Sequence, residues 1–190
     1  MGDNSCECPF PFCLACNGNT GKVGDNSCFG PAACDGNSGT VGDNACVGFE
    51  GVCDANTGRL GDNACVGGEV VCINNTGRVG DNACIGSFTC INNMGSVGND
   101  SCKGGEGACT GNMGRVGDHS CRGGTAVCAN NTGRVGDNAC NGDGACKGNS
   151  GTVEDGACLG ARACVGNTGH IGPGQCIGDQ ACENNTANIP

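Results

Sequence analysis

The beat of its cysteines constrains this chain more than any other feature. From Cys16 onward the cysteines alternate between a constant step of 12 residues and a step of 6 or 7. Length variation is thus confined to one bend of a tandem repeat, and a fixed period is the signature of a stacked, quasi-one-dimensional fold. Ten copies begin at Gly2, Gly24, Gly42, Gly61, Gly80, Gly98, Gly117, Gly136, Glu154 and Gly172, and all but the longer first copy run to 18 or 19 residues.

Three further columns repeat with the cysteines. An Asn recurs at Asn19, Asn37, Asn56, Asn75, Asn93, Asn112, Asn131, Asn149, Asn167 and Asn185. Two residues later comes Gly, except at Ala187, and two beyond that comes Val, Leu or Ile, from Val23 through Leu60 to Ile189. Helix is excluded because Gly recurs in every copy at a cost of about 1 kcal/mol each in a helix interior. Segments such as Asn63-Ala64-Cys65-Val66 and Val70-Val71-Cys72-Ile73 are strand-sized and bounded by turn signals. The expected fold is all-β: a parallel β-solenoid of ten coils, rising about 4.8 Å per coil. Residues 1–23 form an N-terminal capping coil, 24–171 eight regular coils and 172–190 the C-terminal coil. The Asn column either stacks as an amide ladder or supplies turn residues at positive φ.

Composition fixes what fills such a rod. With Cys 22, Phe 5 and no Trp or Tyr, an aromatic core is unavailable, and the cysteine density is that of a disulfide framework in an oxidising setting. Cysteines are expected to point inward with their neighbours alternating outward. Pairing within each coil joins Cys28 to Cys34, Cys46 to Cys53, Cys65 to Cys72, Cys84 to Cys90, Cys102 to Cys109, Cys121 to Cys128, Cys140 to Cys146, Cys158 to Cys164 and Cys176 to Cys182. Cys6 then pairs with Cys16. Pairing across the constant step is the alternative, but it strands Cys6 and Cys182. Each small loop contributes about 2–3 kcal/mol in the chain-entropy account.

The first copy departs from the pattern, reading Cys6-Glu7-Cys8-Pro9-Phe10-Pro11-Phe12-Cys13-Leu14-Ala15-Cys16. It is expected to be a cap, held by a Cys8 to Cys13 bridge, with Phe10 and Phe12 over the open end. The close cysteine spacing also suits a thiolate metal site, but the capping bridge explains the same residues, and no metal or cofactor is expected.

A column of Asp3, Asp25, Asp43, Asp62, Asp81, Asp118, Asp137 and Asp155 needs charge compensation. Lys22, Arg59, Arg78, Arg115 and Arg134, three residues upstream, are expected to supply it as a solvated ladder, with calcium as the alternative. Beside the first cysteine of successive coils lie Phe29, Val47, Val66 and Ile85, an apolar stripe and a candidate interface. The other reading tucks these side chains against a neighbouring coil. Asn74, Asn99, Asn130 and Asn184 head glycosylation sequons that arise from the repeat itself.

Function classes narrow accordingly. A net charge of −10 argues against nucleic acid as a partner, and no apolar stretch approaches the roughly 18 residues of a membrane span. No secretion signal is read at the start of the chain. His119 and His170 are the two histidines, with no activated nucleophile or phosphate-binding loop. A non-enzymatic role is expected.

The motif Gly-Asp-Asn-Ala-Cys-x-Gly followed by Cys-x-x-Asn-Thr-Gly resembles cysteine-rich repeats of microalgal surface or secreted proteins. In kind, the whole chain is similar to the disulfide-braced β-solenoid antifreeze proteins of beetles, which also place a cystine inside each coil. That resemblance implies an ice-binding face, for which the best column is Thr20, Ser38, Thr57, Thr76, Thr132, Ser150, Thr168 and Thr186, with Thr57, Thr76, Thr132 and Thr168 foremost. Met94 and Met113 interrupt this column, and a single Thr between Asn and Gly is expected in a turn. The leading expectation is a rigid structural or interaction rod in an extracellular fibre, appendage, or cell or virion surface layer. It would associate with itself, end-on or laterally, or with other surface proteins. Ice binding is the alternative, and a calcium- or glycan-binding adhesion module a further one.

Overall fold

A computed structural model describes residues 1–8 and 15–190. Ten two-residue strands, one near the end of each coil and each with its second residue more buried than its first, align into one parallel sheet along the rod. Register is residue for residue: Arg59 pairs with Arg78 and Leu60 with Val79, and the same holds down to His170 with Asn188 and Ile171 with Ile189. A second, two-stranded parallel sheet joins Val47–Glu50 to Val66–Glu69. Elsewhere the coils are held by backbone bonds running both ways between neighbours, such as Cys46 N–H to Ala64 O at 3.0 Å and Asn44 N–H to Asp25 O at 2.8 Å.

Among the described residues ten bridges close, each within a coil: Cys6–Cys16, Cys28–Cys34, Cys46–Cys53, Cys65–Cys72, Cys84–Cys90, Cys102–Cys109, Cys121–Cys128, Cys140–Cys146, Cys158–Cys164 and Cys176–Cys182. The short loops bring the paired Cα atoms to 5.6–5.9 Å, the usual bridging distance. Phe10, Phe12 and Cys13 lie outside the described residues, and with them the expected Cys8–Cys13 bridge and aromatic cap.

The cysteines do not sit in strands, contrary to the pattern expected for 63–66 and 70–73. Both cysteines of every coil have φ between 52° and 63°, in the left-handed region. A side chain there costs energy and reverses the chain locally, so strict inward-outward alternation fails around each cysteine. Residues expected outside are therefore inside. Ala45, Ala64 and Ala83 before the first cysteine, and Val52, Val71 and Val127 before the second, are buried. The bore of one coil thus holds six side chains, as in Ala64, Cys65, Val71, Cys72, Asn75 and Val79. Cystine is one component of the core rather than its whole filling.

The buried asparagines stack as an amide ladder. Each Nδ2 donates to the Oδ1 of the preceding coil at 2.7–3.0 Å, from Asn37 on Asn19 to Asn185 on Asn167. Positive φ falls instead on other asparagines, such as Asn44, Asn63 and Asn74. The Gly two residues after the ladder Asn is dictated by the next coil: a Cβ at Gly58 would collide with the Gly77 carbonyl oxygen.

Candidate functional site

Because the bore is filled, chemistry that reaches a partner must lie on the outer columns. The face of the ten-stranded sheet carries two of them. Thr57, Thr76, Thr132 and Thr168 are exposed, and they belong to the coil-to-coil ladder rather than to a turn: Thr57 N–H donates to Asn75 O at 2.9 Å and Thr76 N–H to Asn93 O at 2.9 Å. Met94 and Met113 occupy this column in the fifth and sixth coils, 57% and 52% exposed. Two residues on, and so on the same side of the extended chain, stand Lys22, Arg59, Arg78, Arg115 and Arg134, all exposed.

These cations do not compensate the Asp column. Among the described residues the ion pairs are Lys103 with Asp100 at 2.7 Å, Arg122 with Asp100 at 3.6 Å and Arg162 with Glu183 at 2.6 Å. The carboxylates are satisfied by backbone instead. Asp43 Oδ1 accepts the Asp25 N–H at 2.8 Å, Asp62 that of Asp43 at 3.0 Å and Asp81 that of Asp62 at 3.0 Å. This explains both the column and the preceding Gly, whose Cβ would strike the same oxygen: at Gly61 it would strike Asp81 Oδ1. The two charged columns face each other across a groove of about 480 Å³ between Arg78, Ser96 and Arg115 on one wall and Asn99, Asp118 and Asp137 on the other.

The apolar stripe runs up a different side. Phe29, Val47, Val66 and Ile85 are bridged in parallel register, and Ile85 pairs next with Lys103. Phe29 is 38% exposed, while Val47, Val66 and Ile85 are half-buried. Phe29, Val47 and Val66 form, with Pro31 and Phe49, a hollow of about 310 Å³ over coils two to four. Phe49, 73% exposed, belongs to this surface although no sequence column marks it, because it lies in the variable bend. The stripe ends where Lys103 turns to Asp100. That hydrogen bond, with Lys103, His119 and Arg122 nearby, holds the Asp100 carboxyl below its usual value. Asp54 is shifted the other way, first by burial and then by the Asp35 charge stacked one coil below.

Sulfurs of adjacent coils also approach one another, and the Sγ atoms of Cys72, Cys84 and Cys90 lie within 4.8 Å. All three are bridged, so they present cystine sulfur rather than the thiolate a metal requires. His119 Nδ1 lies 3.4 Å from Arg122 Nη2, and His170 pairs in the sheet with Thr152.

The architecture and the bridges define a class: a tandem-repeat β-solenoid with one cystine in each coil, matured in an oxidising environment. Within it, the chain belongs to the family described as a domain of unknown function, DUF7640, whose model matches residues 6–121 and again 102–190. The two matches overlap over residues 102–121. Neither the curated proteins nor the solved structures gave a match. No helix among the described residues is long and apolar enough to cross a membrane.

Proposed function

We infer that this protein is a non-enzymatic structural module, a rigid disulfide-stabilised rod that forms or decorates an extracellular fibre, appendage, or cell or virion surface layer. The observation that carries this reading is the unbroken register of ten coils, each closed by its own bridge and bonded to its neighbours. Such a stack fixes its outer side chains at a constant spacing. The hollow of Phe29, Pro31, Val47, Phe49 and Val66 supports contact with a second copy. In a two-fold arrangement the same apolar patch meets itself and leaves water on both molecules at once. Sedimentation and electron microscopy at rising protein concentration test this. Side-by-side association that Phe49→Ser abolishes is expected, and strictly monomeric particles at every concentration would overturn the contact.

Ice binding is the second reading, supported by the exposed and regularly spaced Thr57, Thr76, Thr132 and Thr168. It has less support than the rod because Met94, Met113 and the arginine column break the flatness of the same face. Measured thermal hysteresis with ice shaping would establish it, and their absence would remove it.

A further inference from the structure

The arginine column poses a physical problem of its own. Arg59 pairs directly with Arg78, and Arg115 with Arg134, across adjacent parallel strands. Like charges in directly opposed positions are destabilising. No carboxylate among the described residues lies within ion-pair distance of any of the four, although the chain carries a net charge of −10 and has acids to spare. The fold therefore holds two pairs of unneutralised guanidinium groups in line along one side of the rod.

Between these pairs the pattern changes at two nearby positions, on either side of one coil boundary. Ser96 replaces the cation, in register between Arg78 and Arg115. Three residues later Asn99 replaces the aspartate of the facing column, accepting the Asp81 N–H through Oδ1 at 2.9 Å as the aspartates do. Both columns are thus neutral and short in the same place, at the middle of the groove described above. The Asn99 Nδ2 and the Ser96 hydroxyl have no hydrogen-bond partner among the described residues, so both can donate outward. Exposed Met94 and Met113 stand in the neighbouring column, two residues before Ser96 and Arg115.

We propose that this gap is the central seat of a binding face for a linear polyuronate, an acidic polysaccharide lying along the rod axis. Arg78 and Arg115 stand two coils apart, about 9.6 Å at ~4.8 Å per coil. An extended chain of linked uronic acids turns a carboxylate to the same side at every second sugar, so one carboxylate meets each guanidinium fork in bidentate fashion. The sugar between them lies over Ser96 and Asn99, its hydroxyls facing their polar groups. Arg59 and Arg134 extend the contact at either end. Nucleic acid fits less well. Its duplex carries a charge about every 1.7 Å, and the wall of Asp62, Asp81, Asp118 and Asp137 across the groove repels so dense a polyanion, whereas a polyuronate places fewer charges and can turn them to the arginine side.

The proposal deepens the rod reading and rests on it. The test is affinity electrophoresis and calorimetry of the intact oxidised protein with alginate, a sulfated galactan, neutral dextran and single-stranded DNA. Small-angle scattering on the same sample checks that the rod is present. Alginate is expected to bind, with no binding to dextran. The Arg78→Ala/Arg115→Ala variant should weaken binding by about tenfold or more and lower the log–log salt slope by about 2. Ser96→Glu, which puts a carboxylate into an exposed gap, should abolish binding without touching the bore. Lys147→Ala, a cation on another column, should leave it unchanged. The proposal falls if an intact rod fails to bind alginate, if either groove variant binds as the parent does, or if dextran, the galactan or DNA binds more tightly than alginate. Scattering that shows no rod would instead overturn the underlying reading.

Discussion

At the residue scale, the bore is specific enough that one misplaced atom is visible. Thr89 occupies the buried column filled elsewhere by Val52, Val71 and Val127, and its Oγ1 has no hydrogen-bond partner. A hydroxyl buried without a partner costs about 1–3 kcal/mol. Thr89→Val, which keeps the shape and removes the hydroxyl, should therefore stabilise the fifth coil by roughly 1 kcal/mol, read as slower amide exchange there. The serines of the preceding column show the satisfied case: Ser120 donates to Gly136 O at 2.7 Å and accepts the Ala139 N–H at 3.1 Å. Asp54 carries a pH signature. Burial, and then the Asp35 charge, push its folded carboxyl above the ordinary aspartate range, so the native state holds that proton more tightly than the unfolded chain. This group's contribution to stability falls as pH rises through that window. Asp54→Asn should flatten the pH dependence just above pH 3.8 in denaturant titrations.

Single residues become elements through repetition, and the asparagine ladder is the clearest case. Asn75 donates to Asn56 Oδ1 and to Gly77 O, and accepts from Asn93, all in the dry interior. Asn75→Ala removes these bonds and leaves two buried neighbours short of partners, a loss of about 2–4 kcal/mol by the usual cost of unsatisfied groups. Because a solenoid is coupled only between neighbours, hydrogen exchange should show local opening at coils three to five, with the ends little affected. The ladder was half legible in the sequence: an Asn in every copy left an amide ladder and a turn residue at positive φ both open, and burial of the column decides for the ladder. The in-coil bridges were legible because they use every repeat cysteine, whereas pairing across the constant step of 12 strands Cys6 and Cys182. The strands were not, since their location was read from alternation around cysteines that take left-handed φ. Cysteine carries no signal for that conformation, which is imposed by the two bends of the coil. The role of the Asp column was missed for a similar reason, because its partner is a backbone amide and leaves no trace in the side-chain pattern.

For the whole molecule, stability is distributed along an axis, and so is vulnerability. The bridges from Cys28–Cys34 to Cys158–Cys164 are fully buried, whereas the cysteines of Cys6–Cys16 and Cys176–Cys182 are only half-buried. Under a water-soluble phosphine without denaturant, alkylation and peptide mapping should label the four outer cysteines first and then advance inward. Simultaneous labelling of all coils would mean that the rod opens as one unit. The candidate surfaces were only partly legible at this scale. The apolar stripe stood out as a column, but Phe49 joins it from the variable bend. The groove around Ser96 and Asn99 appears only once two columns are seen to face each other.

The residue-for-residue register has a genetic consequence. Each coil offers its neighbours nearly the same donors, acceptors and hollows, so the stretch encoding one whole coil can be lost or copied by misaligned recombination without leaving a scar. Removing residues 61–79 would bring Leu60 directly to Gly80, set Asn56 beside Asn93 and leave the bridges on either side unbroken. Length in such a protein is inherited in steps of one turn, and descendants of a common array can differ in reach while keeping every contact that makes them fold.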